Sequence, residues 1–208
     1  MRLYLSSFRE GARTDALRTL VAPGGLVAVS VNALDNQAPT TRTKIFEREE
    51  QALTALGYRT TELDLRVFFG QAARLGSALD THALVWCSGG NAFVLRLAMK
   101  LSGFDALITE RLRDDTIAYG GYSAGAVVAG ASLDALNLVD RTDDMPSDYP
   151  SRELLFDGLG LVPYVLVPHY RSDHSESVAM EKVVALLQQR GLPYKTLRDG
   201  EVDVHGLL

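Results

Sequence analysis

Short apolar runs alternate with amphipathic stretches along most of the chain. Residues 26–31 form a continuous, β-branched run, which is typical of a strand buried on both faces of a sheet. Residues 43–56 instead place their apolar side chains near one face and end at Gly57, as an amphipathic helix does. The hydrophobic pattern therefore predicts strands and helices in alternation.

The same pattern assigns an element to most segments of the chain. It predicts strands over residues 3–6, 26–31, 59–65, 83–87, 116–120, 159–167, 195–197 and 202–204. It predicts helices over residues 43–56, 68–79, 92–101, 104–113 and 175–190, with one more before Pro23 and a short buried one after Ser123. Residues 32–41 and 140–150 carry proline and polar side chains and are predicted to be loops.

Strands that alternate with helices favour an α/β fold, with a mostly parallel sheet and helices on both faces in three layers. No repeat, linker or low-complexity segment divides the chain. We therefore expect one domain over residues 1–208.

Composition narrows the class of protein. A chain of 208 residues with 47% hydrophobic residues is large enough for one well-buried domain. A net charge of −5 with interleaved signs offers no basic face to nucleic acid, and no apolar run is long enough to span a membrane. The first residues are interpreted as a strand rather than a signal peptide. The single cysteine, Cys87, excludes an internal disulfide and suits a reducing compartment, so a cytoplasmic protein is expected.

A candidate nucleophile lies near the middle of the chain. The segment Gly121-Tyr122-Ser123-Ala124-Gly125 fits the nucleophile-elbow pattern G-x-S-x-G. A serine at a sharp strand-to-helix turn has a strained backbone, so its neighbours must be small. Its hydroxyl then projects clear of the sheet, and the amide of the next residue points to the same place. The alternative is a glycine-rich packing turn without chemistry.

A serine nucleophile needs a general base, and the histidines are the candidates: His82, His169, His174 and His205. His169 is the best placed, because it follows an apolar strand and would lie at the carboxyl edge of the sheet, where α/β proteins build their sites. His174 lies in a polar segment and is expected to be solvated. His82 precedes its strand, at the other end of the sheet.

The base in turn needs a carboxylate to orient it. Asp144, Asp199 and Glu201 lie in turns and are candidates, although each is equally explained as an ordinary turn acid. The glycine turn at residues 88–91 follows a buried strand, so the amide of Gly90 could join that of Ala124 as an oxyanion hole. The histidines are scattered, and the sequence contains neither a C-x-x-C motif nor a phosphate-binding loop. The sequence therefore predicts no metal and no cofactor.

Four motifs, in order along the chain, resemble those of peptidase family S51. They are Trp86-Cys87-Ser88-Gly89-Gly90-Asn91-Ala92-Phe93, Gly121-Tyr122-Ser123-Ala124-Gly125-Ala126, Asp143-Asp144-Met145-Pro146 and Val167-Pro168-His169-Tyr170. The family includes the α-aspartyl dipeptidase peptidase E and, more distantly, cyanophycinase, and its fold is similar to that of class I glutamine amidotransferases. The resemblance implies a serine peptidase of short peptides, an Asp-X dipeptidase or a related aminopeptidase, that works as a homodimer.

The resemblance also implies roles for individual residues. Ser123 is the nucleophile, His169 the general base, and Gly90 and Ala124 supply the oxyanion amides. The family's late Leu-Pro-Glu-Gly turn corresponds to residues 197–200, where Asp199 stands in place of glutamate, one methylene shorter.

Asp144 matches an aspartate that is the alternative triad acid. Asn91, Tyr170 and Arg171 are expected to contact the substrate, with Arg171 as the cation for an aspartate side chain. The segment after His169 is shorter than in the best-known aspartyl dipeptidases, which leaves a broader short-peptide specificity open. An α/β esterase or amidase, or a non-catalytic amidotransferase-like binding module, are the competing interpretations.

Overall fold

The computed structural model describes residues 1–207, and its strands form two sheets. The strands are β1 (Leu3–Ser6), β2 (Leu26–Ser30), β3 (Arg59–Glu62), β4 (Leu84–Cys87), β5 (Ala118–Tyr122), β6 (Val165–Val167), β7 (Tyr194–Thr196) and β8 (Val202–His205). The larger sheet has the order β3-β2-β4-β5-β1-β8, in which β8 pairs antiparallel with β1 and the other pairs are parallel. Strands β6 and β7 pair parallel in a second, two-stranded sheet.

The helices follow the amphipathic segments of the chain. They are α1 (Thr14–Leu20), α2 (Pro39–Ala55), α3 (Ala72–Ala78), α4 (Ala92–Ser102), α5 (Phe104–Arg113), α6 (Ala124–Val127) and α7 (Ser177–Arg190). Short 3-10 turns occupy Asn32–Leu34, Leu65–Phe68 and Leu136–Leu138. Within residues 1–207, no helix combines the length and the apolar character needed to cross a membrane.

Two apolar cores lie on opposite faces of the larger sheet. Along β1, Leu3 and Leu5 belong to the core that also contains Phe93 of α4, whereas Tyr4 belongs to the core that contains Leu17 of α1. Alternate residues of a strand point to opposite faces, so a single strand contributes side chains to both cores. This arrangement confirms the predicted three-layer α/β fold with a mostly parallel sheet.

Several predicted boundaries are wrong for local reasons. Helix α2 begins at Pro39, inside the predicted loop 32–41, because proline fits the first position of a helix, where no amide hydrogen bond is needed. The strand predicted over residues 159–167 is reduced to β6. The residues before it bond to the segment after Ser123 instead, with the amide of Leu159 donating to Val128 O at 2.7 Å.

The end of the chain differs most from expectation. Residues 195–197 and 202–204 were predicted to be two strands around one turn, but β7 and β8 belong to different sheets. Strands β6 and β7 are joined through α7 as a parallel βαβ unit, with Val167 opposite Thr196. Since parallel strands end at the same edge, the segments after Val167 and after Thr196 emerge side by side.

Candidate active site

Ser123 follows the last residue of β5 in a strained conformation. Its φ is +49° and its ψ is −118°, which a residue with a side chain rarely adopts and which costs about 1–3 kcal/mol. The amide of Ser123 donates to the carbonyl oxygens of Ser6 and Ser7, both at 3.2 Å, and so ties the turn to the end of β1. Helix α6 begins with the next residue, Ala124. The turn has the geometry expected of a nucleophile elbow.

The glycines on either side of Ser123 are required by close backbone packing. A Cβ on Gly125 would lie 2.1 Å from Cys87 O, and a Cβ on Gly121 would lie 2.6 Å from the same oxygen. The elbow therefore packs directly on the end of β4. Any side chain at these two positions would push the serine out of place.

The glycine turn after β4 lies against the elbow. A Cβ on Gly89 would lie 3.1 Å from Ser123 Cβ, which shows how closely the two turns approach. Gly90 has a φ of +143°, and a Cβ there would lie 2.5 Å from Ala33 O. The backbone of Gly89 thus comes close to the Ser123 side chain, as an oxyanion-binding turn requires.

His169 and Asp199 come together at the ends of the paired strands β6 and β7. The His169 Nδ1 atom lies 2.7 Å from Asp199 Oδ1, and the His169 side chain is only 1% exposed. The amide of Leu197 donates to Val167 O at 2.9 Å, and the amide of Tyr170 donates back to Leu197 O at 3.0 Å. These hydrogen bonds continue the strand pairing beyond β6 and β7, and they place His169 beside Asp199.

Ser7 supports this pair, and the sequence analysis did not identify it. Its buried hydroxyl accepts a hydrogen bond from the His169 amide at 2.8 Å and donates to Asp199 Oδ1 at 2.9 Å. Ser172 Oγ accepts from the amide of Asp199 at 2.8 Å. A signal for Ser7 was present in the sequence, because it follows β1 directly and so lies at the carboxyl edge beside Ser123.

The imidazole of His169 is buried against other aromatic rings. The ring of His174 is stacked on it, with centroids 3.7 Å apart and planes 7° from parallel, and Phe8 meets it edge-on at 5.9 Å. Burial lowers the pKa of His169 and neighbouring His174 lowers it further, whereas the hydrogen bond to Asp199 raises it. His174, expected to be solvated, is therefore part of the surroundings of the base.

Ser123 and His169 line one open cavity of about 400 Å³. The charged side chains around it are those of Arg48, Arg141, Asp140, Asp144 and Glu176. Arg48 is paired with buried Glu49 at 2.7 Å, and Arg141 with Asp143 at 3.1 Å.

Since both arginines of the cavity are paired, the other charged side chains that line it are the carboxylates of Asp140, Asp144 and Glu176. Asp140 accepts a hydrogen bond from the amide of Ala92 at 2.8 Å. Its burial, aided by the negative charge of Glu176, raises the pKa of the Asp140 carboxyl to about 7.

Arg48 and Glu49 form a second feature of the site that was not predicted from the sequence. Glu49 accepts from Trp86 Nε1 at 2.9 Å and from the hydroxyl of Tyr122 at 3.1 Å. Since Tyr122 precedes Ser123, this network joins α2 to the elbow. It also directs the Arg48 guanidinium to the cavity.

Other predicted site residues occupy different positions. Asp144 lines the cavity but accepts a hydrogen bond from Asn36 Nδ2 at 3.0 Å, whereas His169 bonds to Asp199. Asn91 also lines it, yet its Oδ1 caps α4 and its Nδ2 donates to Arg141 O at 2.7 Å, so both polar ends are occupied within the fold. His82 bonds to Thr61 at 2.8 Å, remote from the cavity.

Tyr170 and Arg171 are not among the residues that line this cavity, and their contact with substrate stays a prediction. Both His169 and Arg171 have a positive φ, of 56° and 51°, and these turns direct the Arg171 side chain outward. Its guanidinium lies over the Tyr170 ring and 3.9 Å from Glu181, with 59% of the side chain exposed. The arginines that line the cavity are Arg48 and Arg141.

Comparison with known proteins matches residues 37–202 to the model of peptidase family S51. A peptidase E of Streptomyces coelicolor is 32% identical over 127 residues, which cover 59% of this chain and 48% of that protein. An uncharacterized peptidase of Listeria monocytogenes is 28% identical over 138 residues, covering 66% of this chain and 63% of the relative. The chain thus spans about half to three-fifths of the length of these relatives.

The fold also has a counterpart among solved structures. A candidate peptidase E protein from Listeria monocytogenes EGD-e superposes with a TM-score of 0.76, covering 100% of this chain and 98% of the other, at 22% identity. At that identity the likeness establishes the architecture alone.

Proposed function

The chain belongs to peptidase family S51, and from this premise we propose that it is a serine peptidase of short peptides that carry a free amino terminus. Ser123 acts as the nucleophile, His169 as the general base and Asp199 as the acid that orients it. The observation that carries the proposal is the 2.7 Å contact between His169 and Asp199 at the cavity that also contains the strained Ser123.

The tautomer of His169 follows from its partner. An ionised carboxylate only accepts hydrogen bonds, so the proton of the neutral imidazole lies on Nδ1 and the lone pair lies on Nε2. That lone pair takes the proton of the Ser123 hydroxyl as Oγ attacks the scissile carbonyl carbon. Asp199 stabilises the imidazolium that forms.

The carbonyl oxygen becomes an oxyanion, for which the amides of Gly90 and Ala124 are the proposed donors. When the C–N bond breaks, His169 returns its proton to the leaving amine, and the acyl group remains on Ser123 Oγ. Water then attacks the ester, giving its proton to His169. Collapse of the second intermediate releases the acid and restores the serine hydroxyl.

The charge of the cavity favours a substrate with a free α-amino group. Asp144 and Glu176 line it as carboxylates, and Asp140 adds only part of a charge near neutral pH because its pKa is about 7, whereas Arg48 and Arg141 are already paired with carboxylates. An ammonium group is therefore bound more favourably than an additional anion. Arg48 is paired with Glu49 but also lines the cavity, and it is the proposed cation for an aspartate side chain at the first position.

The decisive experiment compares the wild-type protein with Ser123→Ala on Asp-Leu, Leu-Leu, an N-acetylated tripeptide and a simple ester. We expect cleavage of the free dipeptides, little cleavage of the blocked peptide, and at least a roughly thousandfold loss in Ser123→Ala. A fluorophosphonate probe should also add its mass to the wild-type protein and not to the variant.

Two outcomes would contradict the proposal. Turnover that survives in Ser123→Ala would remove the serine from the chemistry. Ester turnover without any peptide turnover would favour the esterase interpretation. Matching thermal unfolding curves of the two proteins serve as the control for folding.

A further inference from the structure

We propose that His169, His174 and Glu176 form a binding site for a zinc-like divalent cation, and that this ion inhibits the enzyme reversibly by occupying the general base. One ligand atom from each of these residues lies within 4.8 Å of the others. Two imidazoles and one carboxylate are a common ligand set for Zn²⁺, with the fourth position left to water. The inhibition, though not the binding, rests on the proposed function.

His169 is already oriented as a metal ligand. Its Nδ1 faces Asp199 at 2.7 Å, so its Nε2 lone pair is free, and Glu176 Oε2 lies 3.9 Å from that Nε2. A carboxylate on the far nitrogen is the usual outer partner of a zinc-bound histidine, because it fixes the tautomer and raises the basicity of the ring. The contact proposed to prepare His169 for catalysis thus also prepares it to bind a metal.

The other two ligands must move to complete the site. Ligands of a tetrahedral zinc ion lie about 3.3 Å apart, as follows from zinc–nitrogen distances of roughly 2.0–2.1 Å. The stacked rings of His169 and His174 must therefore tilt, and Glu176 must approach. Both moving side chains are partly exposed and lie between Arg171 and α7, in a segment without regular secondary structure.

The contacts that this movement breaks are few and weak. His174 Nδ1 accepts a hydrogen bond from the amide of Glu176 at 3.2 Å, and its ring meets Phe8 edge-on at 5.7 Å. If His174 binds the ion through Nε2, its proton moves to Nδ1 and this long hydrogen bond is lost. His169, held by Ser7 and Asp199, stays in place.

Binding of the ion blocks the first chemical step. The Nε2 lone pair that would take the Ser123 proton is donated to the metal instead, so the serine stays protonated. The sequence spacing did not reveal the set, because the residues at 169, 174 and 176 do not form a familiar zinc motif. The stacking of the two rings, set by the turn after β6, brings them together.

The test is calorimetric titration of zinc sulfate into the metal-free protein of residues 1–208 at pH 7.5. We expect one bound ion, and at least about tenfold weaker binding in His174→Gln and in Glu176→Gln. His82→Gln is the matched control, since its histidine bonds to Thr61 far from the cavity, and it should bind zinc as the wild type does. Ser123→Ala should also retain binding.

Equal zinc affinity in the wild type, His174→Gln and Glu176→Gln would overturn the proposal, as would the absence of binding at millimolar zinc. In the activity arm, zinc should suppress dipeptide turnover by the wild type and a chelator should restore it. Equal inhibition of wild type and His174→Gln would place the inhibitory ion elsewhere. If the peptidase proposal fails, the calorimetric result can still be interpreted, because the titration measures zinc binding and needs no turnover.

Discussion

The carboxylate of Asp199 lies 2.7 Å from Nδ1 of His169, and this contact distinguishes it from the other candidate acid, Asp144. Asp199→Asn should lower kcat about ten-thousandfold, because the amide can donate to Nδ1 and so favours the tautomer with the wrong nitrogen protonated. The measurement is steady-state hydrolysis of a free dipeptide by the variant and the wild type.

Asp144→Asn is the matched control for this substitution. Asp144 lines the same cavity but bonds to Asn36, so its variant should lose less than about tenfold in kcat. A larger loss in Asp144→Asn than in Asp199→Asn would reverse the assignment of the acid.

The pH profile of the reaction should report the surroundings of His169. Only the neutral imidazole accepts the serine proton, so kcat/KM should fall as pH falls through the pKa of His169. Burial places that pKa below the usual 6.5 of a histidine, so activity should persist into mildly acidic solution.

His174→Gln should move this midpoint upward, because His174 lowers the pKa of its stacked neighbour. The control is Asp199→Asn, in which the midpoint of His169, read from the NMR titration of its ring, should move downward, since the carboxylate raises the same pKa. Profiles measured from pH 4.5 to 8 would contradict this account if both midpoints moved in one direction.

The parts of the fold that the sequence predicted are those fixed by local chemistry. The run at residues 26–31 became β2, and the small residues around Ser123 became a strained turn because neighbouring backbone leaves no room for side chains. The contact between His169 and Asp199 depends instead on the pairing of β6 with β7. That pairing joins segments about thirty residues apart, and the hydrophobic pattern assigned the second of them to a different partner.

The missed site residues depend on tertiary packing in the same way. The only signal for Ser7 is its place directly after β1, and nothing adjacent to Arg48 in sequence indicates a site. Both reach the site because β1 and α2 pack beside the elbow. Arg171 lies outside the lining of the cavity, where two left-handed residues, His169 and Arg171, turn the chain within three positions, and its role stays a prediction. The homodimer, the cytoplasmic location and the single domain stay predictions.

Ser7→Ala tests whether a buried hydroxyl positions the base. Its loss leaves the amide of His169 without its acceptor and Asp199 without one donor, so the imidazole should shift relative to Ser123. We expect kcat to fall about ten- to a hundredfold with a smaller change in KM. Ser6→Ala is the control, because that hydroxyl bonds to Phe8 O at 3.3 Å and contacts neither member of the pair. Equal losses in both variants would indicate a general weakening of β1.

Gly125→Ala tests the packing of the elbow on β4. The added Cβ would lie 2.1 Å from Cys87 O, a backbone atom that cannot move aside, so the free energy of unfolding should fall by about 3 kcal/mol. Gly76→Ala is the control inside α3, where the nearest atom, Leu107 Cδ1, is 3.8 Å away. That variant should gain about 0.5–1 kcal/mol, as alanine does over glycine in a helix. Urea unfolding of both variants would contradict the account if they changed stability in the same direction.

Arg48→Gln tests which arginine binds the acidic side chain of an aspartyl substrate. The Arg48 guanidinium lines the cavity, whereas Arg171 is 59% exposed and points away from it. Arg48→Gln should therefore raise KM for Asp-Leu about tenfold and leave KM for Leu-Leu nearly unchanged, while Arg171→Gln should affect neither peptide. An equal rise for both peptides would mean that Arg48 binds the terminal carboxylate that they share. In that case Arg48 does not select an aspartate side chain, and Arg141 is the remaining arginine of the cavity.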